Sequence, residues 1–169
     1  MTATATTTAP PTVSFAVEGV PETEGSTRAF PTRSGGVRVT HTKQSALEGW
    51  RARVRAASLA AAVQARWPLG YDGPVEVRAT FYLPRPARPR FAVPAVKPDL
   101  DKLERAVGDA LAEVRRGGYV AQRGMLREDS RIVRWQSAKE YVDGEAVVSP
   151  GAAIAVLPIT EETPHGTSA

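Results

Sequence analysis

Residues 74–114 read PVEVRATFYLPRPARPRFAVPAVKPDLDKLERAVGDALAEV and contain two apolar periodicities separated by a proline-rich segment. Apolar and polar side chains alternate over Pro74–Leu83, which predicts a β-strand with one buried face. Apolar side chains recur at helical spacing over Leu100–Val114, which predicts an amphipathic helix. The segment between them contains Pro84, Pro86, Pro89, Pro94 and Pro98. Because proline fixes the backbone and lacks an amide donor, this segment is predicted to be an extended connector.

A second helix is predicted upstream of this stretch, over Gln44–Trp67. Leu47, Trp50 and Val54 recur at helical spacing within it, and the Pro68 and Gly70 that follow are typical helix terminators. Alternating or apolar runs predict four further strands, over Val13–Gly19, Val37–His41, Ser130–Tyr141 and Ala152–Ile159.

Glycine-containing turns complete the predicted topology. Gly117-Gly118 is expected to end the second helix, and Asp143-Gly144 is typical of a hairpin turn between the last two strands. The order β-β-α-β-α-β-β predicts an α+β fold in which two helices pack on a small mixed β-sheet.

The ends of the chain differ in composition from its centre. Residues 1–12 are rich in Thr, Ala and Pro and predict a disordered leader, residues 13–159 predict one domain, and residues 160–169 predict a disordered polar tail. No apolar run approaches the roughly 20 residues of a membrane span, and the N-terminus lacks the features of a secretory signal. We expect no membrane partner, and we expect a cytoplasmic location.

The chain contains no cysteine and only two histidines, His41 and His165. Disulfides, thiolate zinc sites and a cysteine nucleophile are therefore excluded. Any metal must be held chiefly by carboxylates, which favours a hard cation such as Mg²⁺, with Mn²⁺ as a substitute.

The positive charge of the chain permits a nucleic-acid partner. The net charge is +4, and the sequence pI is about 9.8. Basic residues gather in the first third of the chain and around the second predicted helix, as a surface that follows phosphates requires. The alternative is an ordinary solubilising surface. The predicted DNA contacts are Arg28, Arg33, Lys43, Arg88, Arg90, Lys97 and Lys102.

Two acidic motifs contain the candidate catalytic and metal-binding residues. Asp99 falls at the start of the second predicted helix and Asp101 in its first turn, where the two carboxylates can converge. Asp129 precedes the strand Ser130–Tyr141 and completes a three-carboxylate metal cluster if that strand lies beside the helix start. Arg105, one turn after Asp101, can stabilise a phosphodiester transition state. The alternative is that the aspartates only cap a helix and solvate a loop.

The two motifs together resemble the signature of the RusA family of Holliday-junction resolvases. The stretch KPDLDKLERAVGDAL at 97–111 and EDSRIV at 128–133 are similar to the family pattern K-P-D-L-D-N-L-x-K-A-x-x-D-A-L followed by D-D-S-Q-V. The resemblance covers about residues 13 to 158.

The resemblance implies a specific function. It implies a homodimeric endonuclease of the kind often carried by phages, active in DNA recombination and repair, that hydrolyses phosphodiester bonds through paired nicks in four-way junction DNA. It also implies that Asp99, Asp101 and Asp129 bind Mg²⁺.

The sequence departs from the family pattern at several positions. The functional lysine of the family is Arg105 here, and arginine stabilises charge but does not readily transfer a proton. Lys102 replaces an asparagine, Glu128 replaces the first aspartate of the second motif, and the segment Arg115–Arg127 is longer than usual. The Arg105 substitution keeps a second hypothesis open, a branched-DNA-binding protein without catalysis. A sugar-nucleotide site in a glycosyltransferase is disfavoured by the short chain and the basic flanks.

Overall fold

The fold was analysed in a computed structural model that describes residues 10–23, 27–31, 37–41, 44–147 and 149–160. The strands at 27–31 and 37–41 are described by their backbone. Most of the predicted leader and tail lies outside the described residues, as do Arg33 and Lys43.

Within these residues the chain forms eight strands, two α-helices and a one-turn 3-10 helix. The strands are β1 (Val13–Glu18), β2 (Thr27–Pro31), β3 (Val37–His41), β4 (Val75–Leu83), β5 (Val114–Arg116), β6 (Tyr119–Gln122), β7 (Ile132–Tyr141) and β8 (Gly151–Pro158). The helices are α1 (Gln44–Gln64) and α2 (Leu100–Leu111), and the 3-10 helix is Asp129–Arg131. Neither described α-helix has the length and apolar character that a membrane crossing requires.

The central sheet has the strand order β1-β8-β4-β7. Strands β1 and β4 both pair with β8 in the antiparallel sense, whereas β7 pairs with β4 in the parallel sense. The sheet is therefore mixed, and the predicted α+β class is confirmed. The strands β2 and β3 form a separate two-stranded sheet.

Both helices pack on one face of this sheet. Trp50 and Val54 of α1 are fully buried in the same core as Leu103 and Val107 of α2. Phe81 of β4, also fully buried, joins them from the sheet. Burying a side chain of this size stabilises the fold by about 1.5–3 kcal/mol. The apolar stripes read from the sequence therefore do form the core.

The predicted hairpin at Asp143-Gly144 is wrong. A tight turn is present, in which the Asp143 carboxylate accepts hydrogen bonds from the amides of Glu145 and Val147. However, β4 lies between β7 and β8, so the turn does not join neighbouring strands. The connection from β7 to β8 passes the strand position that β4 occupies, because β7 pairs in parallel with β4. The chemistry of the turn alone does not reveal this pairing.

The predicted end of the second helix is also wrong. Helix α2 ends at Leu111, and Gly117 and Gly118 form the turn of a β5–β6 hairpin. Leu126 stops the helix earlier, because its amide donates to the Leu111 carbonyl while its own carbonyl accepts from the Glu113 amide. The side chain of Arg55 also donates to the carbonyls of Asp109 and Ala112 at this end.

A buried segment that contains Gly124 crosses the end of α2. The Gly124 carbonyl accepts the Gly70 amide at 3.0 Å, and Met125 and Leu126 are fully buried. A Cβ added to Gly124 would overlap the backbone of Ala112 and Glu113. Only glycine allows these backbones to approach so closely.

We therefore expect Gly124→Ala to lower the free energy of unfolding by about 1–3 kcal/mol, the usual cost of forcing extra atoms into a packed core. The matched control is Gly49→Ala in α1, where the added Cβ makes only ordinary contact with Arg53. That substitution is expected to raise the free energy of unfolding by about 0.5–1 kcal/mol. Urea denaturation measures both, and equal effects of the two variants would contradict the close approach at Gly124.

Candidate metal centre

The candidate centre begins at the N-terminus of α2, where Asp99 is the N-cap residue. Its backbone is extended, with φ −71° and ψ 142°, as the position before a helix requires. Its side chain makes no capping hydrogen bond to the helix. The carboxylate instead lies 3.2 Å from the ammonium of Lys102, and about half of the side chain is exposed. The simple capping role therefore does not describe Asp99.

Asp101 lies in the first turn of α2 and is exposed. Among the described residues, its carboxylate forms no ion pair. The first-turn amides of a helix stabilise negative charge close to them. Asp99 and Asp101 thus place two carboxylates at one electropositive helix end.

Lys139 of β7 reaches the same helix end. Its ammonium donates to the carbonyl oxygens of Val96 at 2.8 Å and Pro98 at 2.9 Å. Because Pro98 immediately precedes Asp99, these bonds tie the start of α2 to the sheet. They also place a positive charge beside the two aspartates.

Beyond this helix end, α2 packs directly against β7. Glu104 of α2 accepts a short hydrogen bond from the Ser137 hydroxyl of β7. One turn further along, Gly108 is so close to β7 that an added Cβ would lie 3.5 Å from the Ile132 side chain. Glu104 therefore lies on the same side of the helix as Asp101, facing β7.

Asp129 lies at the far end of the contact between α2 and β7. Its Cβ is 3.9 Å from the position that a Cβ on Gly108 would take, and Gly108 follows Asp101 by seven residues. Seven residues span about 10 Å of helix axis. Among the described residues, no three histidine, cysteine, aspartate or glutamate side chains form a group that could hold a metal ion. Asp99 and Asp101 therefore lie at the same helix end, and Asp129 lies about two turns away.

The turn that carries Asp129 is fixed by Asp72. The two oxygens of that carboxylate accept hydrogen bonds from Arg127 at 2.6 Å and Arg131 at 2.8 Å. Glu128, by contrast, pairs locally with Ser130 and Arg131. The hydrogen bond from Arg131, followed by that from Arg127, lowers the pKa of Asp72 against an opposing effect of partial burial. The ionised carboxylate of Asp72 therefore holds both flanks of the turn.

Two further residues of the first motif, Arg105 and Asp109, lie on α2. Arg105 is exposed, one turn after Asp101. Asp109 forms an ion pair with Arg51 of α1, which joins the two helices. The described contacts of Asp109 are therefore structural.

The predicted DNA contacts are only partly described. Arg88, Arg90 and Lys97 are exposed on the proline-rich connector before α2. The guanidinium of Arg90 lies 5.0 Å from the ring centre of Phe91, which is itself exposed. Arg28 lies in β2, whose side chains are not described.

The donor chemistry at the start of α2 fits Mg²⁺. Asp99 and Asp101 offer only carboxylate oxygens, which hard cations prefer. Magnesium is commonly held by one or two carboxylates, with waters and substrate phosphate oxygens in the other positions. Two aspartates beside an open surface therefore match this ion better than they match zinc or calcium, which need more protein ligands.

A comparison with protein-family profiles finds no family that matches the chain, and a comparison with characterised proteins finds no match either.

Four residues around the site were not predicted from the sequence. Ser137 and Lys139 lie two residues apart on the face of β7 that is directed toward α2. Their role could be inferred only once β7 was known to lie beside that helix. Glu104 follows Asp101 by three residues, and that spacing was a signal for a shared helix face. Asp72 lies far from Asp129 in the chain, and no sequence signal pairs it with Arg127 and Arg131.

We expect Asp72→Asn to lower the melting temperature at neutral pH, because it removes the charge that holds the Asp129 turn. Folding lowers the pKa of Asp72, so the stability that its carboxylate contributes is fully present at pH values above the ordinary pKa of 3.8. This stability is lost as the pH falls through the lowered pKa. The difference in melting temperature between wild type and variant should therefore close in acid. A difference that stays constant from neutral pH to about pH 3 would contradict this role.

Proposed function

We propose that the chain is a magnesium-dependent endonuclease of the RusA type that resolves Holliday junctions. Its substrate is four-way junction DNA, and its reaction is hydrolysis of phosphodiester bonds by paired nicks. The observation that carries the proposal is the pair Asp99 and Asp101 at the start of α2, with the Asp99 carboxylate not used for capping.

The surroundings of this pair support a phosphate-bearing substrate. Lys102 pairs with Asp99, Lys139 bonds to the carbonyl of the preceding Pro98, and Lys97 precedes that proline in the sequence. Alternating positive and negative groups of this kind suit a site that binds a metal ion and a polyanion together. The exposed arginines of the preceding connector extend the positive surface along a path that a DNA strand can follow.

In the proposed mechanism each residue has a limited role. Asp99 and Asp101 hold Mg²⁺, which when bound supplies Lewis-acid stabilisation of the phosphodiester and a more acidic water. Lys102 orients the Asp99 carboxylate, and Lys139 keeps the helix start in place through the Pro98 carbonyl. Arg105 adds positive charge one turn further along, where it can stabilise the charge that develops on phosphate. A permanently charged guanidinium suits this role and not proton transfer.

Asp129 and the homodimer complete the proposal. Asp129 enters the proposal as the third carboxylate, at the far end of the contact between α2 and β7. For it to bind the same ion, the turn at 128–130 must move toward the helix start when metal and DNA bind. That movement would have to break the ion pairs that Asp72 forms with Arg127 and Arg131. Two subunits would present two such sites to the two opposing strands of one junction.

The test is junction cleavage by Asp99→Asn and Asp101→Asn. Each variant is expected to nick a synthetic four-way junction about 100-fold more slowly or worse, because a metal ligand supplies several kcal/mol to the transition state. Junction binding should persist, since the variants remove negative charge and keep the basic surface. Denaturing gels measure nicking in Mg²⁺, and gel shifts in a chelator measure binding.

The matched control is Glu140→Gln, which removes an exposed carboxylate of β7. Its neighbour Lys139 faces the helix, and successive side chains of a strand point to opposite faces, so Glu140 points away from the site. It should nick at the wild-type rate. Full cleavage by Asp99→Asn would remove Asp99 from the mechanism. Salt-sensitive junction binding by the wild type without any magnesium-dependent product would instead favour a branched-DNA-binding protein without catalysis.

A further inference from the structure

The β5–β6 hairpin stands out because nothing in the described chain covers it. All nine residues from 115 to 123 are exposed, including both strands beyond Val114. Tyr119 is 63% exposed and Val120 is 36% exposed. A two-stranded hairpin that buries no side chain adds little to stability, so its apolar residues are not explained by the core.

The tip of the hairpin is a tight two-residue turn. Gly117 and Gly118 have φ of 54° and 83°, and Arg116 pairs directly with Tyr119 across the turn. Both positive φ values match the turn type that fits the twist of the flanking strands, which glycine adopts without strain. The tip is therefore well defined, and it presents an arginine and a tyrosine side by side on one face.

The charge of the hairpin is strongly positive. Arg115, Arg116, Arg123 and Arg127 fall within thirteen residues, while Glu113 is the one acidic residue between Ala112 and Arg127. Glu113 pairs with Arg115 and Asp72 pairs with Arg127. Among the described residues, Arg116 and Arg123 form no ion pair. One unneutralised guanidinium group therefore lies beside the exposed Tyr119 ring at the tip, and a second lies at the base of the hairpin.

The position of the hairpin links it to the candidate site. Its first strand follows the end of α2, and the segment after its second strand leads through Leu126 to Asp129. Arg55 fixes its base by donating to the carbonyls of Ala112 and Arg123. The hairpin therefore stands on a rigid base at the Asp129 end of the contact between α2 and β7.

We propose that the β5–β6 hairpin is a DNA-contacting element that binds the branch point, with Arg116 and Arg123 on phosphates and the Tyr119 ring stacked on an exposed base. The inference rests on the proposed function, whose substrate it specifies further. Charge complementarity carries it: one arginine beside an exposed aromatic ring and a second on the same exposed hairpin suit a polyanion with accessible base faces. Bases at a junction centre are more accessible than those within a continuous duplex.

The stacking part is tested with Tyr119→Ala and Tyr119→Phe. The probe is a synthetic four-way junction that carries a fluorescent adenine analogue at the branch point, with a linear duplex of the same sequence for comparison. Tyr119→Ala should bind the junction about 5- to 150-fold more weakly and lose the fluorescence quenching caused by stacking. Tyr119→Phe should retain both, and duplex binding should change little in either variant.

The phosphate part is tested with the double variant Arg116→Gln/Arg123→Gln. It should reduce the slope of log binding constant against log salt by about 1.8, which corresponds to two phosphate contacts. The charge-matched control is Arg66→Gln/Arg134→Gln, two exposed arginines outside the hairpin, which should leave the slope unchanged. Arg134 bonds to Glu76, which keeps its second partner Arg78 in this control.

The outcomes separate this inference from the proposed function. A wild type that nicks junctions while all hairpin variants bind as tightly as wild type overturns the hairpin inference alone. A wild type that binds junctions through the hairpin but never nicks them overturns the proposed function and supports the inference. A wild type that binds no DNA overturns both.

Discussion

Helix α2 must bury Leu103, Val107 and Leu111, and this constraint places every other part of the candidate site. The three side chains are fully buried and lie on one stripe of the helix. The helix therefore lies on the sheet in one orientation, with Asp101 and Arg105 outside and Glu104 beside β7. Burial of the stripe contributes about 1.5–3 kcal/mol per side chain, so the exposed carboxylates at the helix start can be kept for function.

Both ends of α2 are held by basic side chains from other elements. Lys139 bonds to two carbonyls before the helix, and Arg55 bonds to two carbonyls at its end. Hydrogen bonds from charged groups are worth about 1.5–3 kcal/mol each, more than neutral ones. The Arg55 carbonyl bonds also hold the β5–β6 hairpin, so the site and the hairpin share one rigid support. This common support is the physical basis for the proposal that the site and the hairpin act on one DNA substrate.

The helices, the four strands of the central sheet and the placement of Asp99 and Asp101 at one helix start were accessible from the sequence, because periodicity and helix-start signals are local. The strand order was not, since the parallel pairing of β7 with β4 depends on long-range contacts. The same limit explains the errors at Gly117-Gly118 and Asp143-Gly144, whose turn chemistry is correct but whose neighbours were unknown. The position of Asp129 likewise depends on Asp72, which lies 57 positions earlier and pairs with Arg127 and Arg131 on either side of Asp129. The roles of all three aspartates in catalysis remain predictions.

The most direct measurement of the central claim uses the wild-type chain and a synthetic four-way junction labelled in turn on each of its four strands. The products are resolved on denaturing gels with Mg²⁺ and with a chelator. The account predicts nicks that require Mg²⁺, fall near the branch point and occur symmetrically in opposing strands, with little cleavage of linear duplex. Absence of any Mg²⁺-dependent product, or equal cleavage of junction and duplex, would contradict it.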